Sequence, residues 1–373
     1  MKPRWTRIIL AAACVAALAL TAFSLPRLTE NPVPSLTAKA RTLLRIWVVN
    51  SPGGGQAWLK QQLGQFEKNH RGVSTYVRTV SAEELTAPDI ILPDVVLYMP
   101  GDVTEPSSLF LPLSGEMAAR DGLLREALLR CGCRQGLQYG LPLCWGTWVL
   151  AIDSALEPGS AYTPAPTTLL GRPVATLDAA VTPEPGYPLE AARQAECALQ
   201  SPGGAALFTL SLLLEERPPL PDPFGTQTSG EVYAAFQRRQ CATAMLTTGQ
   251  AIAFSGLTSG GSGFPHRIMV AEEVITDQVW LASVTADAPP EAALLLSFLT
   301  SAEAQKALSS QGLHTVRDDL ALYTSGMSAQ VETAARRALS AINAYIPAEA
   351  VQSAAWQFFQ EQITLNEALL PLM

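Results

Sequence analysis

Histidine is scarce in this 373-residue chain: His70, His266 and His314 are the whole set, and the His-Glu-x-x-His pair of zinc hydrolases does not occur. A metal-hydrolase centre, which draws on closely spaced imidazoles, is therefore not expected, and no metal site is. Basic residues are outnumbered, Lys and Arg totalling 25 against 33 Asp and Glu, for a net charge of −8. Affinity for phosphate backbones comes mainly from clustered Lys and Arg, so nucleic acid is excluded as a partner class. Also missing are the Gly-x-Ser-x-Gly nucleophile elbow, the Walker spacing with its Lys-Ser/Thr, and Gly-x-Gly-x-x-Gly. Serine-hydrolase, nucleotide and dinucleotide chemistry lose their usual carriers, and no cofactor is expected. No internal repeat of 20–50 residues is visible.

What the chain does have is apolar mass. Hydrophobic residues make up 48% and charged residues 16%, enough for a large core and against wholesale disorder. At roughly 100–200 residues per domain the length suits two domains or one large one.

The first residues read as an address. Lys2, Arg4 and Arg7 precede an apolar run from Ile8 to Leu20, and Ala22-Phe23-Ser24 supplies small residues for cleavage. Residues 1–24 are expected to be an export signal or a membrane anchor, which places the rest of the chain outside the cytoplasmic membrane. Cys14 is a candidate for lipidation, although the apolar stretch continues past it. Residues 25–41, rich in Pro, Ser and Thr without periodicity, read as a tether. Beyond them lie five cysteines, Cys131, Cys133, Cys144, Cys197 and Cys241. An odd number leaves at least one unpaired, and Cys131-x-Cys133 lacks further ligands at metal spacing.

Leu44 to Val49 is a β-branched run that suits a buried strand, and Asn50-Ser51-Pro52-Gly53-Gly54-Gly55 is a strong turn. Ala57, Leu59, Leu63 and Phe66 follow at helical spacing, and strands are expected at 74–80 and 95–98. Strand, helix, strand in this order is a βαβ unit with a parallel sheet. Further helices are expected at 116–130, 189–199, 205–216, 232–239, 290–299, 302–309, 328–344 and across most of 348–370. Extended runs are expected at 138–143, 148–152, 241–246 and 279–284, with Thr247-Thr248-Gly249 as a turn. The pattern is α/β in two lobes.

Candidate chemistry is thin. Asp89, Asp94, Asp153 and Glu67 read as caps and surface charges rather than paired catalytic carboxylates. The strand-end loop at Asn50–Gly55 lies where open α/β sheets hold ligands, beyond the carboxyl ends of the strands. Trp145 and Trp148 flank a Gly-Thr turn, and Tyr98 ends a strand. Buried core aromatics are one reading. The other is a flat aromatic face for the C–H face of a sugar ring.

Several segments, taken in order, resemble a family. Leu44-Arg45-Ile46-Trp47-Val48, Phe66 to Val73, Pro93-Asp94-Val95-Val96 and Tyr139-Gly140-Leu141-Pro142 look like the extracellular solute-binding proteins of ABC importers, in the carbohydrate-type (family 1) branch. Phe236 to Met245 looks like its F-x-x-G-x-x-A-M segment, and Phe298 to Gln305 followed by Gly312 like its F-L-x-S-x-E-x-Q…G signature. Gln240 departs from the pattern, and Pro166-Thr167-Thr168-Leu169-Leu170 lacks the tryptophan of the family's P-x-T-W-x-E-L segment.

The resemblance implies a type II periplasmic-binding-protein-like fold, α/β and two-lobed, with an interlobe cleft and multiple crossovers. Lobe one would take 42–146 plus 284–318, and lobe two 147–283 plus 319–373. It implies a monomer that captures a small solute, a sugar or oligosaccharide, by cleft closure and presents it to the membrane subunits of an ABC transporter. The chain would not be an enzyme. A glycan-active enzyme of the cell surface, or a degenerate fold serving as sensor or scaffold, are the alternatives. In this scheme Trp145 or Trp148 stacks on a sugar ring beside Tyr98. Asn50, Ser51 and Gly54 would meet hydroxyls from one lobe, Thr248 and Gln250 from the other.

Overall fold

The computed structural model describes residues 41–87, 90–114, 123–154, 204–214, 228–239 and 243–373, with two short strands at 168–169 and 172–173. The expected signal with Cys14, the tether up to residue 40, Asp89, residues 116–122 of the helix expected at 116–130, the 189–199 helix, Cys197 and Cys241 lie outside the described residues. Leu43–Met373 is one unit, distinct from Met1–Thr42. Among the described residues no helix is long and apolar enough to cross a membrane.

The chain enters on β1 (Thr42–Val48), whose Leu44, Ile46 and Val48 are fully buried. After the glycine-rich turn, α1 (Gly55–Asn69) buries one stripe, Trp58, Leu59, Leu63 and Phe66. Next come β2 (Val73–Thr79), α2 (Ala82–Leu85) and β3 (Val95–Tyr98), then α3 (Glu126–Cys131) and the short antiparallel pair β4 (Cys133–Arg134) and β5 (Leu137–Gln138). β6 (Leu141–Trp145) and β7 (Trp148–Asp153) follow two residues apart and are buried throughout. β8 (Thr168–Leu169) and β9 (Arg172–Pro173) form another antiparallel pair. The second half contains α4 (Ala205–Leu214), α5 (Ser229–Gln237), β10 (Thr243–Thr247), α6 (Thr248–Ser259), β11 (His266–Met269), β12 (Val274–Thr276) and β13 (Val279–Val284). It closes with α7 (Pro290–Leu299), α8 (Ala302–Lys306), α9 (Gly326–Arg337), β14 (Leu339–Ala341), α10 (Ala348–Phe359) and α11 (Leu365–Leu369).

Two sheets organise these elements. The larger runs β2-β1-β3-β13-β6, with β1 and β3 parallel and β13 antiparallel to both its neighbours. β13 comes from far along the chain. A lobe boundary at residue 284 would leave it on the second-lobe side, yet its apolar sequence pairs on both edges inside the first sheet. The smaller sheet runs β10-β7-β11, antiparallel throughout, and β12 pairs in parallel with β14. β7 shows why both its faces are buried. Val149 and Ala151 point into the core that holds the large sheet, while Trp148, Leu150 and Ile152 point into a second core with α4, α10 and α11. That is the period-two alternation of a strand covered on both sides.

Some elements differ from the sequence expectation. α6 begins at Thr248, where a turn was expected, because Thr247 and Gln250 form a capping box that starts a helix at once. The helical pattern expected through Ala344 stops at Arg337, since Leu339–Ala341 is captured as a strand by Val274–Thr276. Asp94 and Asp153 are buried rather than surface charges. Asp94 accepts from the Arg45 guanidinium at 2.9 Å and from the Arg45 backbone N–H at 2.6 Å, and Asp153 accepts from Arg239 Nε at 2.9 Å.

Candidate functional site

The chain passes from the large sheet to the second core and back at two places, Gly146-Thr147 between β6 and β7 and Asp277-Gln278 between β12 and β13. The two passages are bonded side by side. Gly146 N–H donates to Gln278 O at 2.8 Å, the Thr276 hydroxyl to Gly146 O at 2.7 Å, and Gln278 N–H to the Thr276 hydroxyl at 2.8 Å. Beside them opens a cavity of about 440 Å³ lined from both sides, within the roughly 300–1,000 Å³ of small-molecule pockets.

One wall comes from the strand ends of the large sheet. After β1 the Asn50 carbonyl accepts from the Trp280 indole at 2.8 Å, the Asn50 side-chain oxygen accepts from Ser51 N–H at 2.9 Å, and Gly55 N–H closes the turn onto Pro52 O at 2.9 Å. After β3, Met99-Pro100-Gly101-Asp102 turns back on itself. Met99 N–H donates to Asp102 Oδ2 at 2.8 Å, and Gly101, at φ +90°, donates its N–H to Ala344 O at 2.9 Å. Burial pushes the Asp102 carboxyl up to about 6, against the hydrogen bonds from Met99 and the Asn50 side chain.

The opposite wall starts at Trp148. Its indole N–H donates to Asp277 Oδ1 at 2.8 Å, and the Gln278 amide donates to the same oxygen at 2.8 Å. Burial raises the Asp277 carboxyl above its ordinary value, with these two donors opposing it. Gln250 caps α6 through Thr247 and spends its amide nitrogen on Ser229, at 3.1 Å to the carbonyl and 2.8 Å to the hydroxyl. Ile342, Ile346 and Val351 add an apolar side. The two walls come close at the start of α6, where a Cβ on Gly249 would stand 3.6 Å from Gly53 O.

Of the residues singled out from sequence, Asn50, Ser51, Trp148 and Gln250 line this cavity. The other four lie elsewhere. Tyr98 is fully buried, its hydroxyl 2.7 Å from the Ser283 hydroxyl and 2.9 Å from that of Tyr345. Trp145 is fully buried in the first core and donates to Thr315 O at 2.8 Å. The Thr248 side chain is buried against the Gly146-Thr147 passage and accepts from Thr147 N–H at 3.4 Å. Gly54 is the αL residue before α1 at φ +83°, with Gln311 O where a Cβ would go, 2.8 Å away. Its role is the turn. Sequence reasoning passed over Asp102, Asp277, Gln278 and Ser229. The available signal was position: Asp102 stands just past the Pro-Gly turn after a strand and Asp277 just before one, the strand ends where such sheets gather ligand groups.

No protein-family model and no curated protein sequence matches the chain. Solved structures do match over nearly its whole length. The fold is the two-lobed α/β fold with an interlobe cleft and several crossovers that solute-binding proteins adopt. The GacH receptor of Streptomyces glaucescens GLA.O, solved unliganded and with acarbose, superposes with a TM-score of 0.56 at 15% identity, covering 88% of this chain and 96% of that one. The maltose-maltodextrin binding protein of Alicyclobacillus acidocaldarius matches at 0.54 and 14%, covering 89% and 98%. The galacto-N-biose-/lacto-N-biose I-binding protein of the ABC transporter from Bifidobacterium longum matches at 0.55 and 11%, covering 89% and 95%.

Proposed function

We propose that this protein is the extracytoplasmic solute-binding component of an ABC importer, and that it captures a sugar or oligosaccharide by cleft closure. The observation that carries the reading is the cavity of about 440 Å³ set against the two bonded chain passages and walled by both halves of the fold. A ligand touching both walls makes contacts in a closed form that an open form lacks, and so shifts the population toward closure. The passages at 146–147 and 277–278 are the places to bend. The sugar-binding proteins of like fold support the solute class, and the basic-then-apolar N-terminal segment supports a location outside the cytoplasmic membrane.

In this reading lobe one holds the large sheet, including β13, and lobe two holds β7, β10, β11 and the second core. Trp148 offers its ring to a sugar face, while Asn50, Ser51 and Gln250 surround it. The membrane subunits of the transporter read the closed shape of a monomer, and no turnover is involved. The rival reading, a glycan-cleaving enzyme of the cell surface, draws on Asp102 and Asp277, two carboxyls in one cavity.

The test is a thermal-shift screen of mono- and oligosaccharides, followed by solution scattering with the best hit and a product assay on the same mixture. Stabilisation with compaction and an unchanged glycan supports capture. Turnover of the glycan transfers the protein to the enzyme class. Absence of any small-solute binding, with a stable complex to a membrane protein, favours a scaffold.

A further inference from the structure

The cavity is selective in its hydrogen-bonding sense. Several of its side-chain N–H donors are turned onto the protein: the Trp148 indole and one Gln278 amide hydrogen onto Asp277, and the Gln250 amide onto the Ser229 carbonyl and hydroxyl. The lining carries two carboxyl groups on opposite walls, Asp102 and Asp277, together with Trp148. None of the described residues lining the cavity is Lys, Arg or His.

An acceptor-only ligand such as a carboxylate or phosphate would find like charge there, and like charge out of bulk water is costly. A neutral hydroxyl can donate to these oxygens but brings no charge to offset a carboxylate there. An ammonium carries three donors, no acceptor and a compensating charge, and it gains further from an indole face. We propose that the solute of this cleft carries a protonated primary amine, held by Asp102 and Asp277 with Trp148 beside it. The inference rests on the reading of the cavity as the solute site. It specifies an amine on a sugar or on a linear polyamine, two sources of one chemistry.

Titration calorimetry on the purified protein near pH 7 separates them, with four probes: the fully deacetylated glucosamine disaccharide, its N,N′-diacetylated form, maltose and spermidine. One of the two amines is expected to bind at least about tenfold more tightly than both neutral sugars. The pair of glucosamine disaccharides isolates the charge on one scaffold, and whichever amine binds identifies the source. Asp102→Asn is expected to erase that preference, and Asp277→Asn to do the same if Asp102→Asn does not fold, with circular dichroism checking each. Neutral sugars binding as tightly as the amines would overturn the inference and leave solute capture standing. Binding of none of the four, with a hit in the saccharide screen, would overturn the inference and leave solute capture standing; no hit in either would overturn both.

Discussion

The indole N–H of Trp148 donates to Oδ1 of Asp277 across 2.8 Å, tying the first residue of β7 to the short passage between β12 and β13. One bond therefore joins both routes by which the chain crosses between its cores. The same ring lines the cavity and is only 2% exposed. A structural role and the proposed ligand role meet at this residue, and substitutions of different kinds separate them.

Trp148→Phe keeps an apolar ring but deprives a buried carboxyl of a donor, at about 1–3 kcal/mol. Trp148→Ala also removes the face a ligand would cover, on the order of 1–3 kcal/mol of binding. The expected outcome is a lower denaturation midpoint for both variants and a ten- to hundredfold loss of solute affinity for alanine. Urea titration and calorimetry read the two effects independently. Unchanged affinity in a folded Trp148→Ala protein would remove this residue from the site.

Trp145 provides the contrast. It is fully buried, donates to Thr315 O at 2.8 Å and packs on the His314 ring at a centroid distance of 4.7 Å. Trp145→Ala opens a large void in the first core, so a loss of about 3–5 kcal/mol is expected. The chemical denaturation curve should shift strongly. A variant as stable as the parent but deficient in binding would contradict the placement of Trp145 in the core.

Gly54 and Gly53 are adjacent glycines with opposite demands. At Gly54 φ is +83° and a Cβ would meet Gln311 O at 2.8 Å; at Gly53 none of the described residues lies within 4 Å of the Cβ position. Gly54→Ala incurs both the αL penalty of about 1–2 kcal/mol and a backbone clash. Gly53→Ala should fall within about 0.5 kcal/mol of the parent. Thermal midpoints of the two single variants test this directly.

The pattern of the chain was legible where a feature is local. β1, α1 and β3 follow from apolar spacing and a Pro-Gly turn, and the strand-end loop at 50–55 marks one wall of the cavity. Trp145 and Trp148 illustrate the limit. They end one strand and begin the next, and the side on which each lands depends on which core each strand faces, a matter of pairing with residues far along the chain, Val279 for Trp145 and Thr247 for Trp148. Asp102 and Asp277 were missed for a related reason. An isolated Asp has no local signature, and only the fold brings 102, 148 and 277 around one space. The helix at 248–259 was local but unrecognised, because a Thr-Thr-Gly-Gln capping box looks like a turn until Gln250 is read as its fourth member.

His314 is fully buried in the first core, its Nδ1 3.6 Å from Glu332 Oε1, with the Tyr323 ring at a centroid distance of 5.2 Å and, among the described residues, no hydrogen bond to either ring nitrogen. Arg125 lies nearby, its guanidinium 6.0 Å over the Trp145 ring. Burial lowers the imidazole below its ordinary value, Glu332 opposing and Arg125 reinforcing the shift. The unfolded chain takes up this proton near pH ~6.5 while the native chain does not, so the unfolded state binds more protons. Stability is then present above that pH, declines as pH falls through it, and levels off below the folded-state pKa. Asp102, pushed up to about 6, acts in the opposite sense: its native carboxyl binds the proton first, so its contribution rises as pH falls from about 6 toward 4. Subtracting a His314→Gln profile isolates the imidazole from these carboxyls. Calorimetric melting from pH 7.5 down to 5 should show the parent losing stability more steeply than the variant. A parent-minus-variant difference that stays constant across this range would show that His314 does not titrate with folding.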